Sequence, residues 1–459
     1  MNIQTPLVTV YITNFNYGKY IKQAIESVLN QSFQDFEIII IDDGSTDNSK
    51  QIIESFSHHS KIQVIFQQNK GLNVTNNIAL RVAQGRYIMR LDADDYLEKN
   101  ALELMSEVLE KDAELGLVFP DYFMVDAQGD VMNIEKRHSF EKEVSLLDQP
   151  AHGACTMIRK KFLQSLGGYD EQFKCQDGYD LWIRFTAKYK VTNINTPLFY
   201  YRQHGENLTS NENKILDTRA AIKEKFIANN ISNYDDAIAI IPIRGTKYDS
   251  KNVAFIELNG KKVVDLKIEQ ALKAEKINNI VISSPDETVG EYIAEKYPNN
   301  NKIIFHKRPE KFARHNTSLA ETVAHVIQME ELKHLKIEII VLLSVEFPFI
   351  KTQTIEDAIN TIRIFKTDSL ISVRQEMNTF FQHDGSGMKP ILNQENFTKL
   401  EREALYKNTG GIIAVNREFF DKNKSLISGT VGHIVVNQLS SLKIQTKLDL
   451  EIAEFIARK

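Results

Sequence analysis

Cysteine is scarce in this chain: among 459 residues there are only two, Cys155 and Cys175. They do not form a Cys-x-x-Cys pair and both lie in the first half, so we expect reduced thiols rather than a disulfide. Long apolar runs are missing as well, since no segment approaches roughly 18 consecutive apolar residues, and the N-terminus has no basic leader. We therefore expect a cytoplasmic protein whose contact with the inner face of a membrane is at most peripheral.

The chain also lacks a strong charge of either sign. Its 56 Lys and Arg residues against 61 Asp and Glu give a formal net charge of −5. Such a balance creates no field that would attract nucleic acid, and we exclude nucleic acid as a partner. With 42% hydrophobic and 25% charged residues, the composition is that of a globular protein, and the length suffices for two or three cores.

The run RYIMRLDADDYL contains an apolar strand pattern that is followed by three carboxylates. These are Asp92, Asp94 and Asp95, and ligands of open α/β sheets bind at the carboxyl ends of strands. An Asp-x-Asp pair suits an oxygen-liganded divalent cation, with Asp94 on the metal and Asp92 on a sugar hydroxyl or a metal-bound water. The pattern predicts a site for a metal-bound phosphate ester. Taken alone, the same cluster also fits a turn or a helix N-cap.

The segments upstream form a β-α-β-α-β series. An apolar strand begins at Leu7 and is followed by an amphipathic helix, and a second apolar strand ends in Asp42 and Asp43. Strands that are apolar on both faces belong to parallel sheets covered by helices. Because right-handed crossovers place successive strand ends on one edge, we expect these two carboxylates to face the same nucleotide-sized cleft as Asp92 and Asp94. The predicted fold class is α/β.

These segments, in this order, resemble the inverting family-2 glycosyltransferases of the GT-A fold, from about Leu7 to about Thr209. The motifs that carry the resemblance are TNFNYGKYI, QSFQDFEIIIIDDGSTDNS, NKGLNVTNNIAL, GRYIMRLDADD, GGYDEQFKCQDGYDLWIRF and YYRQHGENLTS. The resemblance implies an enzyme that moves a sugar from a nucleotide-sugar donor, with a UDP-sugar favoured.

Carried over residue by residue, the resemblance implies a donor site that includes Thr13, Phe15, Asp42, Asp43, Gly71 and Asp92. Thr13 and Phe15 flank the nucleobase in this assignment. Either Asp42 or Asp43 bonds the base, and Asp92 binds ribose or sugar.

The resemblance further implies a Mn²⁺ or Mg²⁺ ion on the donor diphosphate, held by Asp94. His204, together with Arg202, stands where similar enzymes bring a basic residue or histidine to the diphosphate or metal. Family members often read Ala-Arg-Asn after the glycine loop, whereas this chain reads Val74-Thr75-Asn76. The basic contact to the donor is therefore missing, or Arg90 supplies it.

The block GGYDEQFKCQDGYDLWIRF places Asp177 and Asp180 at the start of a predicted helix. Inverting transfer needs a base for the acceptor hydroxyl. The resemblance assigns this role to Asp177, while an extra residue before Asp-Leu-Trp keeps Asp180 as an alternative. Without the resemblance, Asp177 fits an N-cap and Asp180 a partner of the helix dipole. Trp182 is a candidate for the acceptor wall or for the core.

A second β/α series follows, and we predict a first domain over 1–230, a linker over 231–236 and a second domain over 237–459. The second domain resembles the acylneuraminate cytidylyltransferases in the segments IIPIRGTKYDSKN, ELNGKKVVDLKIEQAL, IVISSPDETVGEYIAEKY, KRPEKFARHNTSLAETVAHVI, VLLSVEFPFI, NTGGIIAVNREFF and SLKIQTKLDLEIAEFI. The resemblance implies anion contacts at Arg244, Lys247 and Lys251, and pairing of two copies through this domain.

The second domain departs from that family at positions that carry its chemistry. Its segment 344–350 loses an arginine and introduces Glu346, and the family's two metal carboxylates align with Lys443 and Gln445. A lysine repels Mg²⁺, so we predict that this domain no longer activates CTP.

We therefore expect a metal-dependent inverting hexosyltransferase that builds a surface glycan, such as a capsule or lipopolysaccharide, on a glycan or lipid-linked acceptor. Without membrane spans or a Gln-x-x-Arg-Trp motif, it is expected to be non-processive. One alternative is a bifunctional glycosyltransferase and CMP-nonulosonic acid synthetase. Another is a non-catalytic scaffold that binds a nucleotide sugar.

Overall fold

The structure, a computed structural model, describes residues 5–204, 211–232, 235–247, 252–376, 380–391 and 405–458. Contacts divide the chain into one unit of Met1–Arg219 with Phe380–Glu403 and a second unit of Ala220–Thr379 with Ala404–Lys459.

The first unit contains a nine-stranded sheet. Its strands are β1 (Val8–Asn14), β2 (Phe36–Asp42), β3 (Ile62–Phe66), β4 (Tyr87–Asp92), β5 (Tyr96–Leu97), β6 (Leu115–Val125), β7 (Val131–Glu135), β8 (Met157–Arg159) and β9 (Lys190–Arg202). Its helices are α1 (Ile21–Leu29), α2 (Ser49–Phe56), α3 (Leu72–Val82), α4 (Ala101–Lys111), α5 (Lys160–Ser165) and α6 (Asp177–Thr186), and α7 (Glu212–Asn230) follows.

The strands of this sheet run in the order β3-β2-β1-β4-β8-β6-β9-β5, with β7 paired to β6. The first four are parallel, and β1 lies between the two strands that end in carboxylates. Asn14 of β1 is in register with Asp42, and Thr13 is in register with Asp92. The predicted meeting of two acidic strand ends at one edge is confirmed.

Helices cover this sheet as the apolar spacing predicts. Helix α1 buries Ile21, Ala24, Ile25 and Val28, which recur at the spacing of one helical face. They pack with alternate residues of β1 and β2 in one core cluster. The turn after β2 needs Gly44, whose φ is +84° and whose added Cβ would lie 2.8 Å from the backbone nitrogen of Asn69.

The second unit is built on a separate seven-stranded sheet in the order β14-β13-β10-β15-β19-β16-β20. The strands of this unit are β10 (Asp236–Pro242), β11 (Glu257–Leu258), β12 (Lys261–Lys262), β13 (Ile277–Ser284), β14 (Ile303–Lys307), β15 (Ile337–Leu343), β16 (Ser369–Glu376), β19 (Leu405–Asn416) and β20 (Val431–Val435). Its helices are α8 (Val263–Lys273), α9 (Glu287–Lys296), α10 (Leu319–Val326), α11 (Thr352–Phe365), α12 (Arg417–Asn423) and α13 (Lys447–Ala457). The hairpin of β17 (Phe381–His383) and β18 (Met388–Pro390) is grouped with the first unit.

Strands β14, β13, β10 and β15 are parallel, whereas β19 is antiparallel to both of its neighbours. The two predicted sheets are therefore present, and both are mixed. None of the helices in the described ranges is long and apolar enough to cross a bilayer.

The division between the units lies earlier than the boundary predicted at residue 230. It falls after Arg219, inside α7, because the later part of that helix is bonded to the second unit. Lys223 donates to Thr361 Oγ1 over 2.9 Å, and Glu224 accepts from Lys276 Nζ over 2.6 Å.

Candidate active site

The carboxyl ends of β1 and β4 bring the first predicted residues together. Thr13 Oγ1 donates to Asp92 Oδ1 over 3.2 Å. Phe15, just beyond β1, keeps 45% of its surface exposed, so its ring face is available to a ligand. Both residues lie at the edge where the sequence predicted the nucleobase and ribose.

Asp42 and Asp43 are both buried and both organise loops. Asp42 accepts from Asn14 Nδ2 over 2.7 Å and from the backbone of Ser45 over 2.9 Å. Asp43 accepts from the backbone nitrogen of Gly71 over 2.8 Å, tying the end of β2 to the start of α3. These bonds explain why carboxylates follow this strand, and each carboxylate shapes the cleft wall.

Asp94 meets His204 across the cleft. His204 Nε2 lies 2.8 Å from Asp94 Oδ2, and the two side chains are 10% and 9% exposed. The imidazole stacks on Tyr20, with ring centroids 5.7 Å apart. Burial raises the pKa of Asp94, and the charge of Asp92 raises it further. A cation bound here would relieve the repulsion between the two carboxylates and would favour their charged forms.

The two residues predicted to bind the metal ion, Asp94 and His204, are in contact. In the described parts of the chain, no group of three or more His, Cys, Asp or Glu side chains is arranged to hold a metal ion. Two protein ligands still fit Mg²⁺ or Mn²⁺, because such ions complete their shells with water and substrate phosphates.

The other neighbours of Asp94 serve the fold. Asp95 is 1% exposed and accepts from the backbone nitrogen of Arg202 over 2.9 Å. Arg202 is equally buried and donates through Nε to the backbone oxygen of Asp94 over 2.9 Å and through Nη2 to Gln23 Oε1 over 2.8 Å. The prediction that Arg202 approaches the diphosphate is therefore wrong, since its donors are used inside the protein.

Arg90 also differs from the prediction. We expected it to replace a basic contact to the donor, but it is 5% exposed and lies between two carboxylates. Its Nε is 3.0 Å from Asp92 Oδ1, and its Nη1 is bonded to Asp177 Oδ2. Burial alone would lower the pKa of Arg90, but Asp177 and Asp92 raise it well above its ordinary value. Arg90 is thus a permanent cation that joins β4 to α6.

Asp177 and Asp180 have different partners. Asp177 begins α6 and faces Arg90, whereas Asp180 one turn later accepts from Arg184 Nε over 2.9 Å and from Arg184 Nη2 over 2.5 Å. Arg184 also donates to the backbone oxygen of Gly168 over 3.0 Å, so the pair braces the loop before α6. The alternative assignment of Asp180 as the base is not supported by these contacts.

Trp182 does not form an acceptor wall. It is 1% exposed, its Nε1 donates to the backbone oxygen of Leu147 over 2.8 Å, and its ring meets Phe119 edge to face at 5.8 Å. Packing with Phe140 at 6.0 Å completes its surroundings. The structure corrects the acceptor assignment in favour of the core.

Sequence reasoning missed the segment that supports Arg90. An added Cβ at Gly153 would lie 2.5 Å from Arg90 Nη2, and the backbone nitrogen of Cys155 donates to the backbone oxygen of Arg90 over 2.8 Å. His152 of this segment is buried in the fold: its ring lies 4.5 Å from that of Tyr201, and burial lowers its pKa to about 4. No periodic pattern marks this segment, so spacing alone was unable to find it.

In the second unit, the three residues predicted to bind an anion have different surroundings. Lys247 is paired with Glu310 at 2.6 Å, Arg244 Nη1 is bonded to His315, and Lys251 lies outside the described residues. The sequence analysis overlooked Arg308, which follows β14 and is 1% exposed. Burial lowers the pKa of Arg308 to about 10, and the neighbouring charge of Arg244 contributes.

Glu346 and Lys443 of the second unit, both singled out in the sequence analysis, form an ion pair. Lys443 Nζ lies 3.0 Å from Glu346 Oε2, and the backbone nitrogen of Ile444 donates to the backbone oxygen of Glu346 over 2.9 Å. Glu346 therefore offsets the charge of Lys443.

Comparison with known proteins locates one family match. The model of the family described as "Glycosyl transferase family 2" matches residues 9–167. Chondroitin synthase of Escherichia coli is 31% identical over 205 residues, which are 44% of this chain and 30% of that protein. An uncharacterized glycosyltransferase of Methanocaldococcus jannaschii is 32% identical over 207 residues, which are 43% of this chain and 71% of that protein.

Among solved structures, S. aureus TarS 1-349 in complex with UDP-GlcNAc aligns with a TM-score of 0.43 at 18% identity, over 50% of this chain and 68% of that chain. The chain spans 30% of the E. coli chondroitin synthase and 24% of the chondroitin synthase of Pasteurella multocida.

Proposed function

Since the chain belongs to glycosyltransferase family 2 through its first unit, we propose that this unit transfers a sugar, with inversion, from a nucleotide-sugar donor to a glycan acceptor. One observation carries the proposal. Asp92, Asp94 with His204, and Asp177 gather at one sheet edge, where Arg90 bonds both Asp92 and Asp177. This grouping supports the assignment of a donor-binding carboxylate, a cation site and a base to one site.

The residues divide the reaction between them. Asp177 takes the proton of the acceptor hydroxyl as that oxygen forms its bond to the anomeric carbon. The bond from this carbon to the diphosphate oxygen breaks, and the nucleoside diphosphate leaves with the electron pair. Thr13 and Asp92 orient the ribose or sugar, and Phe15 offers its exposed ring to the nucleobase.

Asp94 and His204 are the residues that would hold a Mn²⁺ or Mg²⁺ ion. Such an ion, when bound, would offset the negative charge on the leaving diphosphate. Their adjacent oxygen and nitrogen, 2.8 Å apart, support the assignment, because the remaining ligands of such sites come from substrate phosphates and water.

The acceptor and donor classes rest on relatives and on the sequence. The names of the chondroitin synthases support a polysaccharide or other surface glycan as acceptor. We propose a hexose or related sugar on UDP, added one unit at a time.

A thermal-shift panel tests the proposal. The full chain is heated with UDP-, dTDP-, GDP- and CMP-sugars, each with Mn²⁺ and with EDTA. One donor class is expected to raise the melting temperature only with Mn²⁺, because ligand binding to the folded state stabilises it by mass action. Release of the matching nucleoside diphosphate is then measured. A panel in which no donor shifts the melting temperature and none is cleaved would refute the proposal.

For the second unit we propose binding of a phosphate-bearing ligand without nucleotidyl transfer. Arg308 is buried at 1% exposure and stands beside Arg244 at the carboxyl ends of β14 and β10, and among the described residues its Nε has no hydrogen-bond partner. Two neighbouring guanidinium groups favour an anion. Lys443 and Glu346, paired at 3.0 Å, supply no ligand set for Mg²⁺.

The test of this second proposal uses the full chain with CTP, Mg²⁺ and several nonulosonic acids. Pyrophosphate release is expected to stay at background, while CTP binding weakens by at least about tenfold in Arg308→Met. Pyrophosphate release well above background would support the bifunctional alternative instead.

We also propose that two copies pair through the second unit. Leu448 and Ile452 lie one turn apart on α13 and are 63% and 39% exposed. Light scattering after gel filtration is expected to give a dimer for the full chain and a monomer for the double variant Leu448→Asp, Ile452→Asp. A monomeric wild type would exclude this pairing.

A further inference from the structure

We infer that Arg90 is a positioning residue that aims the carboxylate of Asp177 by holding one of its two oxygens, an inference that rests on the glycosyl transfer proposed above. Arg90 Nη1 donates to Asp177 Oδ2, and Asn76 Nδ2 donates to the same oxygen over 3.5 Å. Within the part of the chain that the structure describes, no donor is bonded to Asp177 Oδ1. One oxygen is thus restrained and the other is left for the acceptor hydroxyl.

The guanidinium is itself held in place from several sides. Asp92 lies on one side, with its Oδ1 3.0 Å from Arg90 Nε. Gly153 closes the other side, because an added Cβ there would lie 2.5 Å from Arg90 Nη2. Gly178, next to Asp177 in α6, approaches Gly153 closely, since its own Cβ would lie 3.4 Å from the Gly153 Cα. The Arg90 side chain therefore has little freedom to leave Asp177.

The charge of Arg90 matters as much as its position. The titratable or charged groups that face Asp177 come from β4, β1, the loop before α6 and the segment before β8, and they are Arg90, Asp92, Tyr11, Tyr169 and His152. Arg90 is the permanent cation among them. Without it, Asp92 and Asp177 would be two carboxylates whose negative charges are not offset by the guanidinium that now lies between them.

The consequence is a base whose free oxygen is held in one orientation. A carboxylate bonded to a guanidinium through one oxygen presents its other oxygen in a defined direction. The acceptor is a neutral hydroxyl, and the rate of transfer depends strongly on the orientation of the free Asp177 oxygen toward it. Misplacement of a reacting group by about 1 Å can lower the rate ~10²-fold.

The experiment measures the pH dependence of kcat for the wild type and for Arg90→Met, with the donor found in the panel and nucleoside diphosphate release as the readout. Arg90→Met is expected to lower kcat near neutral pH by at least ~10². It is also expected to displace the acid limb of the profile, because the charge beside the proposed base changes. Arg90→Lys, which keeps the charge, should restore the limb more fully than the rate.

Gly153→Ala provides a variant that keeps every charged group. Its methyl must displace the end of the Arg90 side chain, to which the three nearest atoms all belong, so the change acts on the guanidinium rather than on the backbone. Its kcat should fall, with a melting temperature close to that of the wild type. Gly178→Ala is the matched glycine control, because its Cβ meets its nearest atom at an ordinary 3.4 Å.

Arg184→Met is the matched arginine control. It breaks the second Arg–Asp pair of α6, with Asp180, and should lower the melting temperature while keeping the wild-type acid limb. An Arg90→Met enzyme with the wild-type acid limb, or with kcat within a few-fold of wild type, would overturn the inference while leaving transfer intact. A wild type that cleaves no donor would instead remove the proposed transfer and the inference with it.

Discussion

His204 Nε2 and Asp94 Oδ2 lie 2.8 Å apart, although 110 residues separate them in the sequence. The contact joins the segment that follows β9 to the one that follows β4. It brings the two predicted metal ligands into direct contact. Their roles can therefore be tested by removing one ligand at a time.

Asp94→Asn is expected to abolish the Mn²⁺-dependent rise in melting temperature with donor and to abolish transfer. The amide keeps the size of the side chain but removes an anionic ligand from a site with few protein ligands. Asp130→Asn, in the exposed turn between β6 and β7, is the control and should behave as the wild type. Transfer that persists both in EDTA and in Asp94→Asn would show that the metal assignment is wrong.

Asp177→Asn should lower kcat by at least ~10² while donor affinity stays within a few-fold, because a general base acts in the transition state. Calorimetric titration with donor and single-turnover rates separate the two effects. Asp180→Asn is the comparison and should mainly lower the melting temperature, since it releases Arg184 from the loop it braces. The reverse pattern in the two variants would move the base to Asp180.

Trp182→Ala is expected to lower the free energy of unfolding by about 3–5 kcal/mol, the usual cost of emptying a large core site. Donor affinity should change little in the fraction that remains folded, because Trp182 contacts Phe119 and Phe140 rather than the cleft. Urea unfolding and donor titration provide the two measurements. If the variant had wild-type stability and a raised KM for the acceptor, the result would support Trp182 as part of the acceptor wall instead.

Lys267 predicts a pH dependence of stability in the second unit. Its ammonium is fully buried, donates to the backbone oxygen of Phe347 over 2.6 Å, and burial lowers its pKa to about 7. An unfolded lysine has a pKa of about 10.4. Below pH 7 both states carry the proton and the cost of burying the charge is fully present. Between pH 7 and roughly 10 only the unfolded state keeps it, so stability rises by on the order of 1.4 kcal/mol per pH unit.

Lys267→Met should remove this contribution. Relative to the wild type, the variant gains stability near pH 6, and the gain narrows as the pH rises toward 9. Urea unfolding across this range measures both proteins. Lys276→Met is the control, because Lys276 is paired with Glu224 at 2.6 Å and its loss should destabilise the protein. A constant difference between Lys267→Met and wild type would contradict the prediction.

Part of the candidate site was readable from spacing. Strands β1, β2 and β4 are apolar runs that end in polar groups, and parallel pairing carries those ends to one edge whatever the rest of the fold does. The Asp180–Arg184 pair was also readable, because residues four apart share a helical face. The spacing makes Arg184 the natural partner of Asp180 and so argues against Asp180 as the base.

The sequence alone determined the alternation of strands and helices, the two sheets and the edge where the carboxylates collect, because these depend on local periodicity and on the handedness of crossovers. Only the tertiary structure decided which charges meet. Arg90 reaches Asp177 across 87 residues, and Trp182 turns into the core while Asp177, five residues earlier, meets Arg90. Such partners depend on how distant segments of the chain pack together. When two charged side chains are buried together, the sequence spacing around each of them does not reveal the other.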